Sequence, residues 1–234
     1  MKVFKKLLIL ALLVLLCLSG YVGYKGYRLY REALDQTGLE QMVGSVRSKT
    51  NYTKFQDLPG QYVNAVVAVE DHRFYKHPGI DLLAMGRAVV NDLKAGAFVE
   101  GGSTITQQLA KNLYFNQEKK LERKVAEVFM AFAIEDKYSK EEIMELYVNS
   151  IYFGNGYYSI YDAAMGYFQR TPGELTEDEC TMLAGIPNAP SVYNPDNMEL
   201  ARKRQTQVIK SMVKYGYLTE EEGVQAQLLM PQVG

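Results

Sequence analysis

The 234 residues suffice for one domain with a substantial core. With 26 basic against 27 acidic residues and a net charge of −1, the chain lacks the basic excess of a nucleic-acid binder. Two cysteines, Cys17 in an apolar leader and Cys180 in the body of the chain, exclude a disulfide framework.

The leader carries Lys2, Lys5 and Lys6, then an uncharged run over residues 7–24. A bilayer core of ~30 Å needs about 20 mostly apolar residues, which this run roughly supplies. A cleaved signal peptide and a retained anchor compete. Residues 17–23 offer no clean small-x-small cleavage site, Leu16 is bulky for a lipoprotein signal, and Tyr21 and Tyr24 sit where an interfacial aromatic belt would. These features favour an anchor, with the basic N-terminus cytoplasmic and the rest outside; Lys25, Arg28 and Arg31 on the far flank pull against that orientation. Domains are expected at 1–25 (cytoplasmic tip and transmembrane anchor), 26–50 (stalk or peripheral segment) and 51–225 (the catalytic unit).

Helix signals follow one another from Asp57. "DLPGQYVNAVVAVE" offers Asp57 as N-cap and Pro59 in the first turn; "DLLAMGRAVVNDLKAG" is a short helix ending at Gly96; "GGSTITQQLAKNLYF" starts a third with Ser103 as N-cap. A longer helix is expected over about 119–137, with Leu121, Val125, Val128, Phe129 and Phe132 on one stripe. "SKEE" from Ser139, "TEDE" from Thr176 and "TEEE" from Thr219 read as capping boxes. "FGNGYYSIYDAAMGYFQRTPGE" reads as a loop and a short helix. Strand signals are weak throughout, so the fold class is all-α.

Three stretches carry candidate chemistry. In "VAVEDHRFYKHPGID" (residues 67–81) an apolar helix ends on Glu70 and Asp71. A carboxylate at the negative end of a helix, against apolar neighbours, holds its proton more tightly and suits acid–base work; an isolated Glu-Asp pair is more often an exposed turn cap. His77 reads as structural, fixing the loop after Glu70. In "EGGSTITQQLAKN", Gly101 and Gly102 permit close backbone approach, Ser103 opens a helix with free N–H groups, and Thr104, Gln107, Gln108 and Lys111 follow at helical spacing. That suits a sugar or phosphate-bearing ligand, though an ordinary Gly-Gly turn with a solvated face has the same look. In "KKLERKVAE", Lys120, Lys124 and Glu127 share one helix face with Arg123 beside it, which alone describes a solvated face with i,i+3 ion pairs.

Taken in order, "EDHRFYKHPG", "GGSTITQQLAKN", "RKVAE", "KEEIMELYVNSIYFG" and "RQTQVI" resemble the family-51 glycosyltransferases, the peptidoglycan polymerases of bacterial cell-wall synthesis. The resemblance runs over about 54–212. It implies a lysozyme-like catalytic lobe and a smaller membrane-proximal jaw lobe, expected around 93–99. It also implies polymerisation of lipid II: the growing lipid-linked chain is the donor, and the 4-hydroxyl of lipid II is the acceptor. Glu70 then matches the general base, and Glu127 the second acidic residue, on the donor side. Asp71, Phe74, Arg87, Gly102, Ser103, Thr104, Gln107, Gln108, Lys111, Asn112, Arg123 and Lys124 match positions that bind substrate, the cations among them facing the pyrophosphate.

The resemblance implies no tightly bound cofactor and no dedicated metal cage, with Mg2+ or Mn2+ at the substrate pyrophosphate as the option it leaves open. Expected partners are lipid II, the growing glycan, the membrane and other cell-wall synthesis proteins, with no nucleic acid; the expected place is the bacterial plasma membrane, single-pass, with the catalytic part extracytoplasmic. Lys119 stands where many relatives carry arginine, and "YYSIYDAA" replaces a more glycine-rich segment, which is expected to alter the donor cleft near 157–162. "SMVK" at 211–214 mimics a Ser-x-x-Lys motif but lacks the Lys-Thr-Gly and Ser-x-Asn partners, so it reads as ordinary helix in a monofunctional chain. A glycan-cleaving enzyme on the same scaffold and a non-catalytic membrane scaffold are the alternatives.

Overall fold

The computed structural model describes residues 2–96, 101–115 and 120–230. In chain order its α-helices are α1 (Lys2–Gln36), α2 (Leu39–Arg47), α3 (Gly60–Glu70), α4 (Leu82–Ala95), α5 (Ile105–Tyr114), α6 (Leu121–Lys137), α7 (Lys140–Val148), α8 (Ile160–Phe168), α9 (Glu177–Gly185), α10 (Met198–Lys214) and α11 (Glu220–Leu228). The described residues contain no strand, and their fold is all-α.

The valines and alanines before Glu70 decide where the core lies. Tyr62, Ala65, Val66 and Val67 are all buried in α3, and α9 and α10 pack against it. A helix apolar on every side must be enclosed. On another side α5 packs on both α6 and α7, burying Ile105, Leu109, Met130, Ile134, Met144 and Tyr147. Each such side chain contributes about 1.5–3 kcal/mol when fully removed from water.

The start of α3 differs from expectation. Asp57 closes a 3₁₀ turn (Phe55–Asp57), Pro59 takes the N-cap position and α3 begins at Gly60. The reason is local: a residue before proline is pushed out of helical geometry, and Leu58 lies at φ −82°, ψ 136°. The boxes at Ser139, Thr176 and Thr219 form as expected. Gly96, at φ +63°, follows the last residue of α4.

Helix α1 has 35 residues and passes through residue 25 without a break; over 34 of them, from Val3 to Gln36, it is long and apolar enough to cross a membrane. Its leucines in the first half are exposed. Its second half packs on α6. A Cβ at Gly26 would meet Val125 Cβ at 2.5 Å, and the Tyr27 and Tyr30 rings lie 5.3 and 5.8 Å from Phe129. The expected stripe on α6 therefore faces α1 and solvent, with Leu121 exposed, whereas the face buried in the core is Ala126, Glu127, Met130, Ala131 and Ile134. Segment 26–50 is also packed rather than free: Leu39, Val43 and Val46 of α2 are buried, and α2 touches α7.

Candidate active site

Glu70 is the last residue of α3, and Asp71, at φ −158°, takes the chain away from the helix axis. The Glu70 side chain thus meets a cleft of about 650 Å³, lined also by Arg87, Gly102, Ser103, Gln108, Lys111 and Arg204. Gln108 Nε2 donates to Glu70 Oε2 at 2.7 Å. Oε1 makes no hydrogen bond to the described residues, and Arg204 Nη2 stands 3.6 Å from it. Burial pushes the Glu70 carboxyl above the usual carboxylate range; the Gln108 hydrogen bond and the Arg204 charge pull it back, Asp71 pushes it further up, and Lys111 pulls it down. Such a group can take up a proton from a bound hydroxyl.

The floor of this site is a network of internal hydrogen bonds through Asp71, Thr104 and Gln107, residues expected at the substrate. Both Asp71 oxygens lie 2.9–3.0 Å from His77 Nε2, and Oδ2 also accepts from the N–H of Ile105 at 3.1 Å. Asp71 therefore ties the end of α3 to the start of α5, and His77 fixes the intervening loop. The N-cap of α5 is Thr104, not Ser103: Thr104 and Gln107 form a reciprocal capping box, and Thr104 Oγ1 donates to Gly79 O at 2.6 Å. A box needs Gln or Glu three residues on, which Thr104 has and Ser103 lacks. Thr104 and Gln107 are buried in that role. Phe74 is wholly buried in the core, with Lys140 Nζ 4.5 Å from its ring centroid, so its expected place against substrate is not borne out. Asn112 is half-buried on α5 and is not among the cleft's lining residues.

Glu127 and its cations form a second unit. Glu127 is fully buried in the centre of α6, gripped by Arg123 and by Lys124 Nζ at 2.7 Å. Lys124 Nζ also donates to Ser103 Oγ at 2.8 Å, and Ser103 lines the cleft. Glu70 and Lys111 therefore open onto one groove, while Glu127 reaches it only through Lys124 and Ser103. Burial, then the Arg123 and Lys111 charges, push the Lys124 ammonium down to about 8, although Glu127 beside it favours the charged form. Burial and Arg123 also lower Lys111, against Glu70. Arg87 reaches His72 Nε2 at 3.4 Å, and the His72 ring stacks on Tyr215 at 4.1 Å.

Arg204 was the residue to find. It sits in the quoted "RQTQVI" stretch, but only the packing of α10 on α3 brings it to Glu70. Its Nε donates to Gly185 O at 3.3 Å, its Nη1 to Gln207 Oε1 at 3.0 Å, and Tyr193 lies under it at 5.8 Å. Gly185 makes this approach feasible, since a Cβ there would stand 2.9 Å from Arg204 Cγ. Ser211 and Lys214 of the "SMVK" stretch lie on helix α10, as expected, and both line the cleft. Segment 157–162 does not line it; Tyr161 faces a separate pocket instead. Leu93 is exposed, but residues 97–99 of the expected jaw and Lys119 lie outside the described residues.

A family model described as transglycosylase matches residues 36–213. Penicillin-binding protein 1A of Aquifex aeolicus is 46% identical over 175 residues, covering 74% of this chain and 24% of the relative. Penicillin-binding protein 1F of Bacillus subtilis is 41% identical over 195 residues, covering 83% of this chain and 27% of the relative. The chain thus spans about a quarter of the length of these curated relatives. A crystal structure of penicillin-binding protein 1A from Haemophilus influenzae aligns with a TM-score of 0.46 at 23% identity, covering 78% of this chain and 18% of that one.

Proposed function

The chain belongs to the transglycosylase family, and from that premise we propose that it is a peptidoglycan glycosyltransferase that polymerises glycan strands from lipid II. The carrying observation is Glu70, proton-seeking through burial, in one cleft with Lys111, Arg87 and Arg204. Gln108 holds Oε2 and no described residue donates a hydrogen bond to Oε1, so the carboxylate keeps accepting capacity for the proton of the acceptor 4-hydroxyl. The freed oxygen attacks the anomeric carbon of the lipid-linked donor from the face opposite the leaving group. The new C–O bond forms as the bond to pyrophosphate breaks, the electron pair leaves with the polyprenyl pyrophosphate, and the configuration inverts. A positioned base contributes about 10²–10⁴-fold.

The leaving group is already a stable anion, so it needs fixed positive charge rather than a strong acid. Lys111 and Arg87 supply it in the cleft, and Lys124 supplies it at Ser103. The cleft's carboxylates do not suit a protein-held divalent ion. Asp71 is occupied by His77 and Ile105, and Asp81 accepts from the N–H groups of Leu83 and Ala84 and pairs with Arg73 at 3.5 Å. A Mg2+ or Mn2+ ion would have to arrive on the substrate's own phosphates. With α1 as the membrane span and Lys2, Lys5 and Lys6 on the cytoplasmic side, the cleft faces the outer leaflet where lipid-linked substrate resides.

The test is incubation of the purified full chain, in detergent, with labelled lipid II. Strands of many disaccharides are expected, with one polyprenyl pyrophosphate released per linkage, and none from Glu70→Gln. Cleavage of preformed glycan without strand growth, or equal activity in that variant, would overturn the reading.

A further inference from the structure

A second pocket, of about 520 Å³, lies at the opposite end of α3 from Glu70. It is lined by Leu58 and Pro59, which lead into α3, so the 11 residues of the helix put about 16 Å between the two sites at 1.5 Å per residue. Its volume falls within the about 300–1,000 Å³ of small-molecule sites.

Its chemistry differs from that of the catalytic cleft. No lysine or arginine is among its lining residues, whereas the cleft has Arg87, Lys111, Arg204 and Lys214. The pocket therefore does not suit a phosphate. It is lined by the aromatic residues Tyr52 and Tyr161, by the polar residues Gln56, Asp57 and Thr53, and by Pro172. Thr53 is 5% exposed, and its Oγ1 has no hydrogen-bond partner among the described residues. An unpartnered buried hydroxyl costs about 1–3 kcal/mol, and a small shift of the pocket wall that let a ligand reach it would recover part of that.

The position of Thr53 is fixed from behind. Its N–H donates to Asn149 Oδ1 at 2.9 Å and its carbonyl accepts from Asn149 Nδ2 at 2.7 Å. Tyr52 is fixed likewise, its hydroxyl donating to Glu145 at 2.5 Å, so its ring rather than its hydroxyl is what it offers a ligand. Rigid aromatic faces beside planar polar groups suit a neutral ring that carries hydroxyl and amide substituents, apolar on its faces and polar on its rim.

We propose that this pocket is a saccharide site, taking N-acetylated hexosamine units of the glycan strand away from the reacting ends. The choice of saccharide rests on the polymerase reading; the pocket's lack of lysine and arginine and its aromatic lining do not. A strand held there stays attached between additions, so the site acts on product length rather than on the first coupling.

The test uses the full chain carrying Glu70→Gln, in detergent, titrated calorimetrically with the tetramer of N-acetylglucosamine, which has neither lipid nor phosphate. Saturable binding is expected, weakened about tenfold by added Tyr161→Ala or Thr53→Val. Gln56→Ala, at an exposed position, serves as a second variant that leaves the fold intact and is expected to weaken binding by a smaller factor. In the otherwise wild-type chain, Gln56→Ala should shorten strands at an unchanged rate of first coupling. Absence of saturable binding, binding indifferent to all three variants, or preference for a free stem peptide over the saccharide would overturn the proposal. Since binding is read in a catalytically disabled chain, saccharide binding without polymerisation by the wild type would sink the proposed function and leave this site standing, while polymerisation without such binding would do the reverse.

Discussion

Glu70 sits at the end of α3 with one oxygen on Gln108 and Arg204 3.6 Å from the other, whereas Glu127 sits in the middle of α6 between Arg123 and Lys124. Both are withdrawn from bulk water, yet their surroundings differ in what they leave available. Glu70 lines a cleft, one of its oxygens has no hydrogen bond among the described residues, and burial raises its affinity for a proton. Glu127 is fully buried and held by two cations, Arg123 and Lys124. A lone buried carboxylate is suited to moving a proton; a doubly paired one is suited to holding positive charge in place.

The largest expected effect breaks the contrast at its reactive end. Glu70→Gln should lower strand formation by about 10³-fold or more while the melting temperature stays within a few degrees, read by product gel and calorimetry. Glu127→Ala should show the opposite balance. It removes the carboxylate that Arg123 and Lys124 grip, costing about 3 kcal/mol and roughly 6–12 °C in Tm; an unchanged Tm would remove the clamp role. Lys111→Ala should cost about 100-fold in kcat with donor lipid, less than the base but without the loss of stability.

The pH dependence sharpens the same comparison. Glu70 must be ionised to act, so activity rises as pH climbs through its raised pKa; it falls again near pH 8 as Lys124 loses its proton. Stability has the reverse sign at Glu70. The unfolded chain releases that proton near its ordinary value of 4.5. The stabilisation is thus complete below that pH and is lost as pH rises through the higher folded value. Glu70→Gln should flatten this slope in denaturant titrations. The smallest effect is expected from Arg204→Ala, which removes a charge that favours ionised Glu70 and should move the acidic limb upward in pH. A limb that stays put would mean Arg204 only packs.

Much of this was legible in the sequence where the signal is local. The three S/T-x-x-E boxes and the apolar run of α3 name their own structures. Where two local signals overlapped, the stronger one was missed: "GGST" drew attention to Ser103, though only Thr104 has the glutamine needed to close a box. Phe74 and Asp71 lie in a motif rich in charge, which hides that one fills the core and the other braces it. The stripe Leu121, Val125, Val128 reads as one apolar face against one core, whereas α6 packs on α1, α5 and α7, and the face turned into the core is apolar except for Glu127. Arg204 could not be assigned at all, because its partner is set by helix packing and not by spacing.

The contact at Gly26 fixes more than a helix crossing. With no side chain between them, anchor and α6 meet backbone against side chain, and α6 also carries Arg123, Lys124 and Glu127. A span joined so tightly works as a surveyor's staff. With α1 spanning the membrane as proposed, the height of the groove above the lipid surface is set by how many residues separate the apolar run from this glycine. Four residues added there would raise it by about 6 Å and swing it through slightly more than a full turn, lifting the pyrophosphate cations off the plane where a tethered substrate can present itself.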